Sequence, residues 1–240
     1  MDLSKATVVI TGSNRGLGRE FVKAFNAAKV KKIYAAARDL STIRDLGNEE
    51  RISPIALDIT DDLQVKAAAK NCSDANLLIN NAGKNFNVPL IGTNSIEATR
   101  TEVETNYLGT LQMCRAFAPV LKANNGGMIV NIISLLARVS IPAIGSVCGS
   151  KAALLLMTNG IRAELGQQNT HVMGVLPGPI DTDMTPGGES DPADIAAMVL
   201  KGISDDEEEI WPGAMAENVY KGLLDDPKAV EKEFATYLPE

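Results

Sequence analysis

Histidine and cysteine, the side chains that most often bind metals and move protons, are scarce in this sequence. One histidine, His171, and three cysteines, Cys72, Cys114 and Cys148, occur among 240 residues. The cysteines have neither metal-ligand spacing nor an even number for disulfide pairing, so we expect no metal site and a reducing, cytoplasmic location. His171 has no partner at ligand spacing, and without a histidine base a serine hydrolase is not expected.

Positive charge and long apolar runs are also limited. There are 23 lysines and arginines against 30 acidic residues, which gives a net charge of -7. An acidic protein repels phosphate backbones, so nucleic-acid binding is not expected. No continuous apolar run approaches the roughly 18 residues that span a bilayer, and MDLSKATVVITG enters a strand with no basic segment before it. We therefore expect neither a membrane segment nor a signal peptide.

Short β-branched runs alternate with helical patterns along the chain. Leu17, Phe21 and Phe25 recur at the spacing that gives a helix one apolar face, whereas ATVVIT and MIVNII are nearly apolar throughout, like strands covered on both faces. This alternation predicts a Rossmann-type α/β fold, a doubly wound, mostly parallel sheet with helices on both faces, in one domain over residues 1–240. Strands are predicted at 7–11, 32–36, 52–57, 77–80, 128–133 and 171–176, an edge strand near 209–211, and long helices at 96–122 and 147–166.

A glycine-rich turn, TGSNRGLG, occupies residues 11–18 between the first strand and the first helix. Glycine lets the backbone turn tightly and approach a pyrophosphate closely. The helix that follows offers free N–H groups and a partial positive charge at its N-terminus. The alternative is a tight turn that binds nothing. The pattern predicts a dinucleotide phosphate site formed by Gly12, Ser13, Asn14, Arg15, Gly16, Leu17 and Gly18.

The end of the second strand indicates which dinucleotide is bound. Sites for NAD place a carboxylate there to bind the ribose 2′-hydroxyl, but here the position is Ala37, followed by Arg38. Arg38 and Arg15 offer two guanidinium groups for charge-assisted hydrogen bonds to a 2′-phosphate. We therefore expect NADP(H) rather than NAD(H) as the cofactor. Asp39, one residue further on, is the feature that complicates this choice.

Further motifs follow in a fixed order. NNAG ends the fourth strand at residues 80–83, Asn106 begins NYLG, Ser134 ends the fifth strand, Lys151 lies 17 residues later, and Pro177-Gly178 follows the sixth strand, with Thr182 beyond it. In this order the motifs resemble the short-chain dehydrogenases/reductases, in the branch with short single-domain subunits. The resemblance spans residues 6 to 184. It implies an oxidoreductase with a nicotinamide cofactor and a small-molecule substrate.

The resemblance also implies roles for individual positions. Ser134 matches the serine that hydrogen-bonds the substrate oxygen, and Lys151 matches the lysine that binds the nicotinamide ribose. Asn106 matches the asparagine that anchors a proton-relay water, and Asp58, with Ile59, matches the contact to the adenine. The other matches are Gly12, Gly16 and Gly18 at the pyrophosphate, Asn80, Ala82 and Gly83 at the adenosine ribose and sheet centre, and Ile180 and Thr182 beside the nicotinamide carboxamide, after Pro177 and Gly178.

The family's tyrosine position departs from the pattern. Counting 13 residues forward from Ser134, or four back from Lys151, leads to Val147. In the family a tyrosine phenol at this position supplies the proton that a newly formed alkoxide needs. Valine neither donates nor accepts a proton, and acid–base assistance typically contributes a factor of about 10² to 10⁴. We therefore expect weak ketone reduction, with Val147 shaping the slot and cofactor binding retained.

Four interpretations of Val147 stay open. The enzyme reduces an imine or iminium, which leaves no alkoxide to protonate, or it reduces a carbonyl with a proton from Ser134, water or the substrate. Alternatively, the chain is an engineered Tyr-to-Val variant, or a non-catalytic scaffold or sensor that binds NADP(H). The presence of Ser134, Lys151 and Asn106 beside a complete glycine turn favours the interpretations with catalysis.

The expected substrate side is apolar. Side chains without fixed charge surround the tyrosine position, which favours a small hydrophobic or aromatic substrate. We expect a lid over residues 186–211 to close the site. The resemblance implies that the two long helices pair into a homodimer or homotetramer. The pocket candidates are Leu135, Leu136, Ile141, Ile144, Val147, Pro179 and Met184.

Overall fold

The computed structural model describes residues 1–239, which form a wholly parallel sheet of seven strands. The strand order is β3-β2-β1-β4-β5-β6-β7, so the chain builds one half of the sheet outward from β1 and then returns to build the other half. Their carboxyl ends meet at one edge of the sheet, where the order reverses between β1 and β4. Ligands bind at such switch points in doubly wound folds. The strands are β1 Thr7–Thr11, β2 Lys32–Ala37, β3 Ile52–Ala56, β4 Leu77–Asn80, β5 Gly127–Ile132, β6 Thr170–Val175 and β7 Glu209–Ile210.

Helices cover both faces of this sheet. On one face, Phe21 and Phe25 are fully buried with Ile195 and Val199; on the other, Phe117 is fully buried beneath β4 and β5. Strands covered on both sides need apolar residues at every position, and all five residues of β1 are buried. The helices are α1 Gly16–Ala27, α2 Asp62–Asn71, α3 Glu97–Val103, α4 Thr110–Ala123, α5 Gly145–Gly166, α6 Pro192–Ser204, α7 Ala214–Asp225 and α8 Pro227–Phe234.

The predicted Rossmann-type architecture is confirmed, and each predicted strand lies within one residue of its observed position. The prediction of a single helix over 96–122 is wrong in one respect. It is divided into α3 and α4 by a π-helical segment, Glu104–Gly109, which contains Asn106. Such widened turns occur mostly at functional sites.

One helix meets the length and composition of a membrane span, although no continuous apolar run suggested one. Residues Pro142–Gly166 include a stretch with mean hydropathy 1.2, and 44% of that stretch is buried inside the protein. Leu154 and Leu155 of α5 lie in the apolar core, and the helix also positions Lys151. This burial is the pattern of a core helix.

The segment expected to form a lid has two different parts. From residue 192 onward it is α6, whose inner face, with Ile195, Val199 and Ile203, is buried in the same core cluster as α1. The helix is followed by β7, which pairs with β6. Motion of these elements would expose core side chains, whereas residues 186–190, the first part of the predicted lid, lie in no helix or strand. The packing favours the shorter segment as the mobile part of the predicted lid.

Candidate active site

The glycine turn is packed so closely that side chains are excluded from it. Gly12 and Gly16 have φ values of +68° and +52°, in the left-handed region that favours glycine. A Cβ on Gly18 would lie 2.1 Å from the carbonyl oxygen of Gly12. Arg15 precedes α1 without capping it through its side chain, so the first N–H groups of the helix keep their capacity to bind an anion. This cradle fits a pyrophosphate.

The polar and apolar neighbours in the turn have structural roles. Ser13 is buried, its N–H donates to Ala36 O at 2.9 Å, and its hydroxyl donates to Ile10 O at 2.8 Å. Leu17 is buried in the core, and Asn14 is half-buried. The turn therefore offers a ligand mainly its backbone.

Asn81 fastens the glycine turn to the end of β4. Its side-chain amide donates to Thr11 O at 2.9 Å and to Gly12 O at 3.3 Å, and its backbone N–H donates to Thr11 Oγ1 at 3.0 Å. The sequence predicted Asn80, not Asn81, as the asparagine at the cofactor. The side-chain amide of Asn80 instead donates to Asn131 Oδ1 at 2.9 Å within the core. The alternation of side chains along a strand was the available signal, because neighbouring asparagines point to opposite faces.

The two arginines expected at the 2′-phosphate are both exposed. Ala37 is the buried last residue of β2, and Arg38 follows it directly. The guanidinium of Arg15 lies 3.5 Å from the Asp183 carboxylate, and both side chains are mostly exposed. Such a pair contributes little stability, so Arg15 can exchange this partner for a phosphate at low cost.

The carboxylates near Arg38 are held by their own loops. Hydrogen bonds from Ser41 hold the pKa of Asp39 below its ordinary value, with the Ser41 N–H at 2.8 Å. Burial raises the pKa of Asp58, but hydrogen bonds from the N–H and hydroxyl of Thr60, at 2.9 and 2.7 Å, outweigh this effect and Arg38 adds to them. The pKa of Asp58 is lowered overall, and its carboxylate stays charged near Arg38. Asp39 also stays charged, but its hydrogen bonds with Ser41 hold it in its own loop rather than free to bind a ribose 2′-hydroxyl.

Two expected site residues, Asn106 and Lys151, meet beside a third, Gly83. Asn106, which is 1% exposed, accepts from the Lys84 N–H at 2.8 Å and donates to the Lys84 carbonyl at 2.9 Å. Its amide also donates to Ser150 Oγ at 2.9 Å. A Cβ on Gly83 would lie 3.2 Å from Asn106 Oδ1 and 3.9 Å from Lys151 Nζ. The strand end, the π-helical segment and α5 therefore meet at one point.

The π-helical segment also touches the loop expected at the adenine. A Cβ on Gly109 would lie 2.9 Å from Ile59 Cγ1, and Ile59 is buried. Ile59 thus packs beneath the helix and holds the neighbouring Asp58 beside it. The contact between Gly109 and Ile59 could not be predicted from the sequence, because the two residues lie far apart in the chain.

Lys151 points its ammonium group to the end of β5. Its Nζ donates to Ile132 O at 2.9 Å. Burial lowers the pKa of Lys151 from 10.5 to about 8. The protein therefore holds a cationic side chain with few polar partners at the position where the family binds the nicotinamide ribose.

The free protein should gain stability from Lys151→Met below pH 8. The unfolded lysine binds its proton up to about pH 10.5 and the folded one only up to about pH 8. The cost of burying the charge is therefore complete below pH 8 and declines as pH rises to 10.5. This cost is at most about 3.5 kcal/mol, at about 1.4 kcal/mol for each pKa unit between 10.5 and about 8. Urea unfolding of both proteins at neutral pH and at about pH 9.5 measures it; a difference that stays constant with pH would contradict the burial effect.

Ser134 and Val147 offer different chemistry at the expected substrate position. Ser134 Oγ accepts from the Leu136 N–H at 3.2 Å, and within residues 1–239 no acceptor takes the serine proton. Val147 is 4% exposed, one turn before Lys151 on α5. The serine can therefore donate a hydrogen bond, whereas the valine contributes only apolar surface.

The segment after β6 spans the site. Pro177 O accepts from the Leu135 N–H at 3.0 Å. This hydrogen bond joins the segments that follow β6 and β5. A Cβ on Gly16 would lie 3.2 Å from Thr182 Cγ2. The same segment thus reaches from the serine side to the glycine turn, as expected for residues beside a nicotinamide.

The pocket candidates differ in exposure. Leu135 is 2% exposed and lies in a core cluster with Leu154 and Leu176, so its main role is packing. Met184 is 41% exposed, beyond the enclosed part of the site. The pocket itself remains a prediction. Leu136, Ile141, Ile144 and Pro179 are half-buried near Val147 and the ends of β5 and β6.

Comparison with known proteins gives a consistent picture. The model of the short chain dehydrogenase family matches residues 6–192. An NADP-dependent 3-hydroxy acid dehydrogenase from Schizosaccharomyces pombe is 31% identical over 195 residues, which cover 76% of this chain and 74% of the relative.

Solved structures agree with this match. A short chain dehydrogenase from Burkholderia cenocepacia J2315, in complex with NADP, is 40% identical, with a TM-score of 0.93 over 98% of this chain and 99% of that one. An NADPH-bound carbonyl reductase from chicken fatty liver is 25% identical, with a TM-score of 0.78 over 87% and 97% of the two chains. The chain therefore belongs to the short-chain dehydrogenase family.

Proposed function

We propose that this protein is an NADPH-dependent reductase that transfers hydride to a small, mainly apolar substrate and favours C=N over C=O bonds. The observation that carries the proposal is Val147, which stands one turn before Lys151 on α5. The sequence resemblance implies the family's proton-donating tyrosine at this position. Lys151 and Asn106 still converge at Gly83. The protein thus combines the positioning groups of a reductase with a slot that has no acid.

The cofactor assignment rests on two supports. The protein from Burkholderia cenocepacia, 40% identical over nearly the full length, binds NADP. In this chain, Arg15 and Arg38 are exposed beside the glycine turn, and Ala37 stands where NAD sites carry an acid. Two exposed guanidinium groups suit a 2′-phosphate.

Individual residues of this chain have different roles in the proposed reaction. NADPH supplies a hydride from its nicotinamide ring when it is bound. The Lys151 ammonium would bind the ribose hydroxyls. The Ser134 hydroxyl oxygen would accept a hydrogen bond from the N–H of a cationic C=N group, whereas its proton would be donated to the oxygen of a carbonyl substrate. Val147 excludes water from the reacting carbon. A cationic C=N group that accepts a hydride becomes a neutral amine, so no group at position 147 has to supply a proton.

Carbonyl reduction is the second candidate. The relatives from Schizosaccharomyces pombe and chicken are named as a hydroxy acid dehydrogenase and a carbonyl reductase. The Ser134 proton, which has no acceptor in residues 1–239, is the group that would serve such a reaction. A non-catalytic role as an NADP(H) sensor is the third.

Turnover of NADPH with paired substrates tests these candidates. Each cyclic imine is assayed beside the ketone of the same ring skeleton, and NADPH affinity is measured in parallel. Imines consumed much faster than their ketones support the proposal. Equal rates favour the carbonyl alternative, and tight NADPH binding without consumption favours the sensor.

Removing both arginines should weaken the preference for NADPH. In the double variant Arg15→Ala/Arg38→Ala, the ratio of NADPH to NADH affinity should fall by about 100-fold or more, because hydrogen bonds to charged groups contribute about 1.5–3 kcal/mol each. Fluorescence titration with both cofactors measures the ratio. Arg100→Ala, an exposed arginine on α3 paired with Glu97, is the matched control. A ratio unchanged in the double variant would contradict the assignment.

Assembly and lid motion complete the proposal. Leu108 beside α4 and Leu156 on α5 are 37% and 72% exposed, which supports pairing of these helices in a homodimer or homotetramer. Residues 186–190 form the part of the lid that moves. The exposed Arg15–Asp183 pair ties the chain just before this part to the glycine turn.

A further inference from the structure

Glu102 is a fully buried carboxyl one helical turn before Asn106. It is 0% exposed. One carboxyl oxygen accepts from the Phe86 N–H at 2.7 Å, and the other accepts from the Ser146 hydroxyl. The Ser146 hydroxyl also lies 2.8 Å from Thr99 Oγ1. Burying a carboxyl is costly unless hydrogen bonds satisfy it, and both partners here are neutral groups on elements that border the site.

The loop after Gly83, residues 84–90, is fastened at alternate positions. Asn106 binds the backbone of Lys84, Glu102 binds the N–H of Phe86, and the Ser146 N–H donates to Val88 O at 3.3 Å. The loop therefore has its backbone polar groups satisfied by two helices rather than by a neighbouring strand. Each attachment point lies on α5 or on the helix that contains Asn106.

The same two helices are joined by a pair of matching contacts. Glu102 meets Ser146, and four residues further along both helices Asn106 meets Ser150 at 2.9 Å. Residues four apart lie on one face of a helix, so the two contacts form successive rungs. Val147 lies directly after the first rung, and Lys151 directly after the second.

We infer that Glu102 is a positioning residue for the substrate side of the site, which rests on the reductase proposed above. Through Phe86 and Ser146 it fixes the 84–90 loop and the first turn of α5 relative to Asn106 and Lys151. The Ser146 N–H donates to Val88 O at 3.3 Å, so the loop lies against the turn of α5 that carries Val147. The Glu102 carboxyl touches neither cofactor nor substrate, and it acts through the walls that it holds.

Hydrogen exchange of the loop tests the positioning role without any turnover. In Glu102→Leu the Phe86 N–H loses its buried acceptor, and the amides of residues 84–90 should exchange about 10-fold faster or more. Glu102→Gln keeps an acceptor for Phe86 and a donor for Ser146, and should exchange like the wild type. Glu104→Leu, an exposed glutamate two residues along the same helix, is the matched control. Ser146→Ala, which removes a single partner, serves if Glu102→Leu does not fold.

Kinetics then separate positioning from mere stability. Glu102→Leu should raise the KM for the substrate about 10-fold with NADPH affinity within a factor of about two, and Glu102→Gln should restore the wild-type KM. Unchanged loop exchange, or faster exchange with unchanged kinetics, would overturn the inference, as would a Gln variant as poor as the Leu variant. If the wild type reduces neither imines nor ketones, the proposed function fails, and unchanged exchange in Glu102→Leu would separately overturn the positioning role.

Discussion

Replacing Val147 by tyrosine is expected to raise ketone reduction by about 100-fold or more, because general acid help contributes about 10² to 10⁴. The new phenol would stand one turn before Lys151, whose ammonium group lowers the pKa of a neighbouring phenol. The alkoxide formed by hydride transfer would then receive its proton directly. Reduction of a cationic C=N should change much less, since its product needs no proton at this stage. Steady-state rates with matched ketones and imines measure both effects.

Val147→Phe is the control that separates the proton from the ring. Val147 is 4% exposed, so either aromatic ring must displace neighbouring side chains or occupy part of the substrate slot. Phenylalanine imposes this change without a hydroxyl group. A gain in ketone reduction with tyrosine alone supports the missing acid. An equal gain with both, or none with either, would show that the lost phenol is not what limits carbonyl reduction.

Gly18→Ala should abolish useful cofactor binding. The added Cβ would stand 2.1 Å from the Gly12 carbonyl oxygen and 2.5 Å from the Asn81 amide nitrogen, so the turn must open. Losing the alignment of even two hydrogen bonds to a charged phosphate, at about 1.5–3 kcal/mol each, weakens NADPH binding about 100-fold or more. The strain should also cost about 1–3 kcal/mol of folding stability. Calorimetric titration and urea unfolding measure the two effects.

Gly160→Ala is the matched glycine control. Gly160 lies within α5, and no side chain or other segment of the chain comes within 4 Å of an added Cβ there, apart from its chain neighbours. Alanine is the better helix former, so this variant should keep its NADPH affinity and gain about 0.4–1 kcal/mol of stability. If Gly18→Ala binds NADPH as tightly as Gly160→Ala, the close packing of the turn has no role in binding.

The sheet could be predicted from the sequence because its strands are buried on both faces. Runs such as the one at Val8, Val9 and Ile10 are apolar at each position, and turns or helices bound them closely. The π-helical segment could not be predicted. It adds a residue to a helical turn without any local mark in the sequence, and it is stabilised by packing of Gly109 against the distant Ile59.

The site could be predicted where it follows strand ends and could not where it depends on pairing between helices. Asn106 and Lys151 were expected in one polar site, and the structure brings these two side chains together beside Gly83. The contact between Glu102 and Ser146 joins positions 44 residues apart. A single sequence does not show which polar groups meet across such a distance, and it does not distinguish a buried glutamate from an exposed one.

We propose above that this protein reduces C=N bonds without an acid at position 147. This proposal is tested most directly by a competition in one vessel, with NADPH deuterated at the nicotinamide C4 and equal amounts of a cyclic imine and the ketone of the same ring skeleton. Mass spectrometry then follows deuterium in the amine and in the alcohol. We expect deuterium to enter the amine at an initial rate about 100-fold or more above the rate at which it enters the alcohol. Equal labelling of the two products, or none in the amine while NADPH binds, would contradict the proposal.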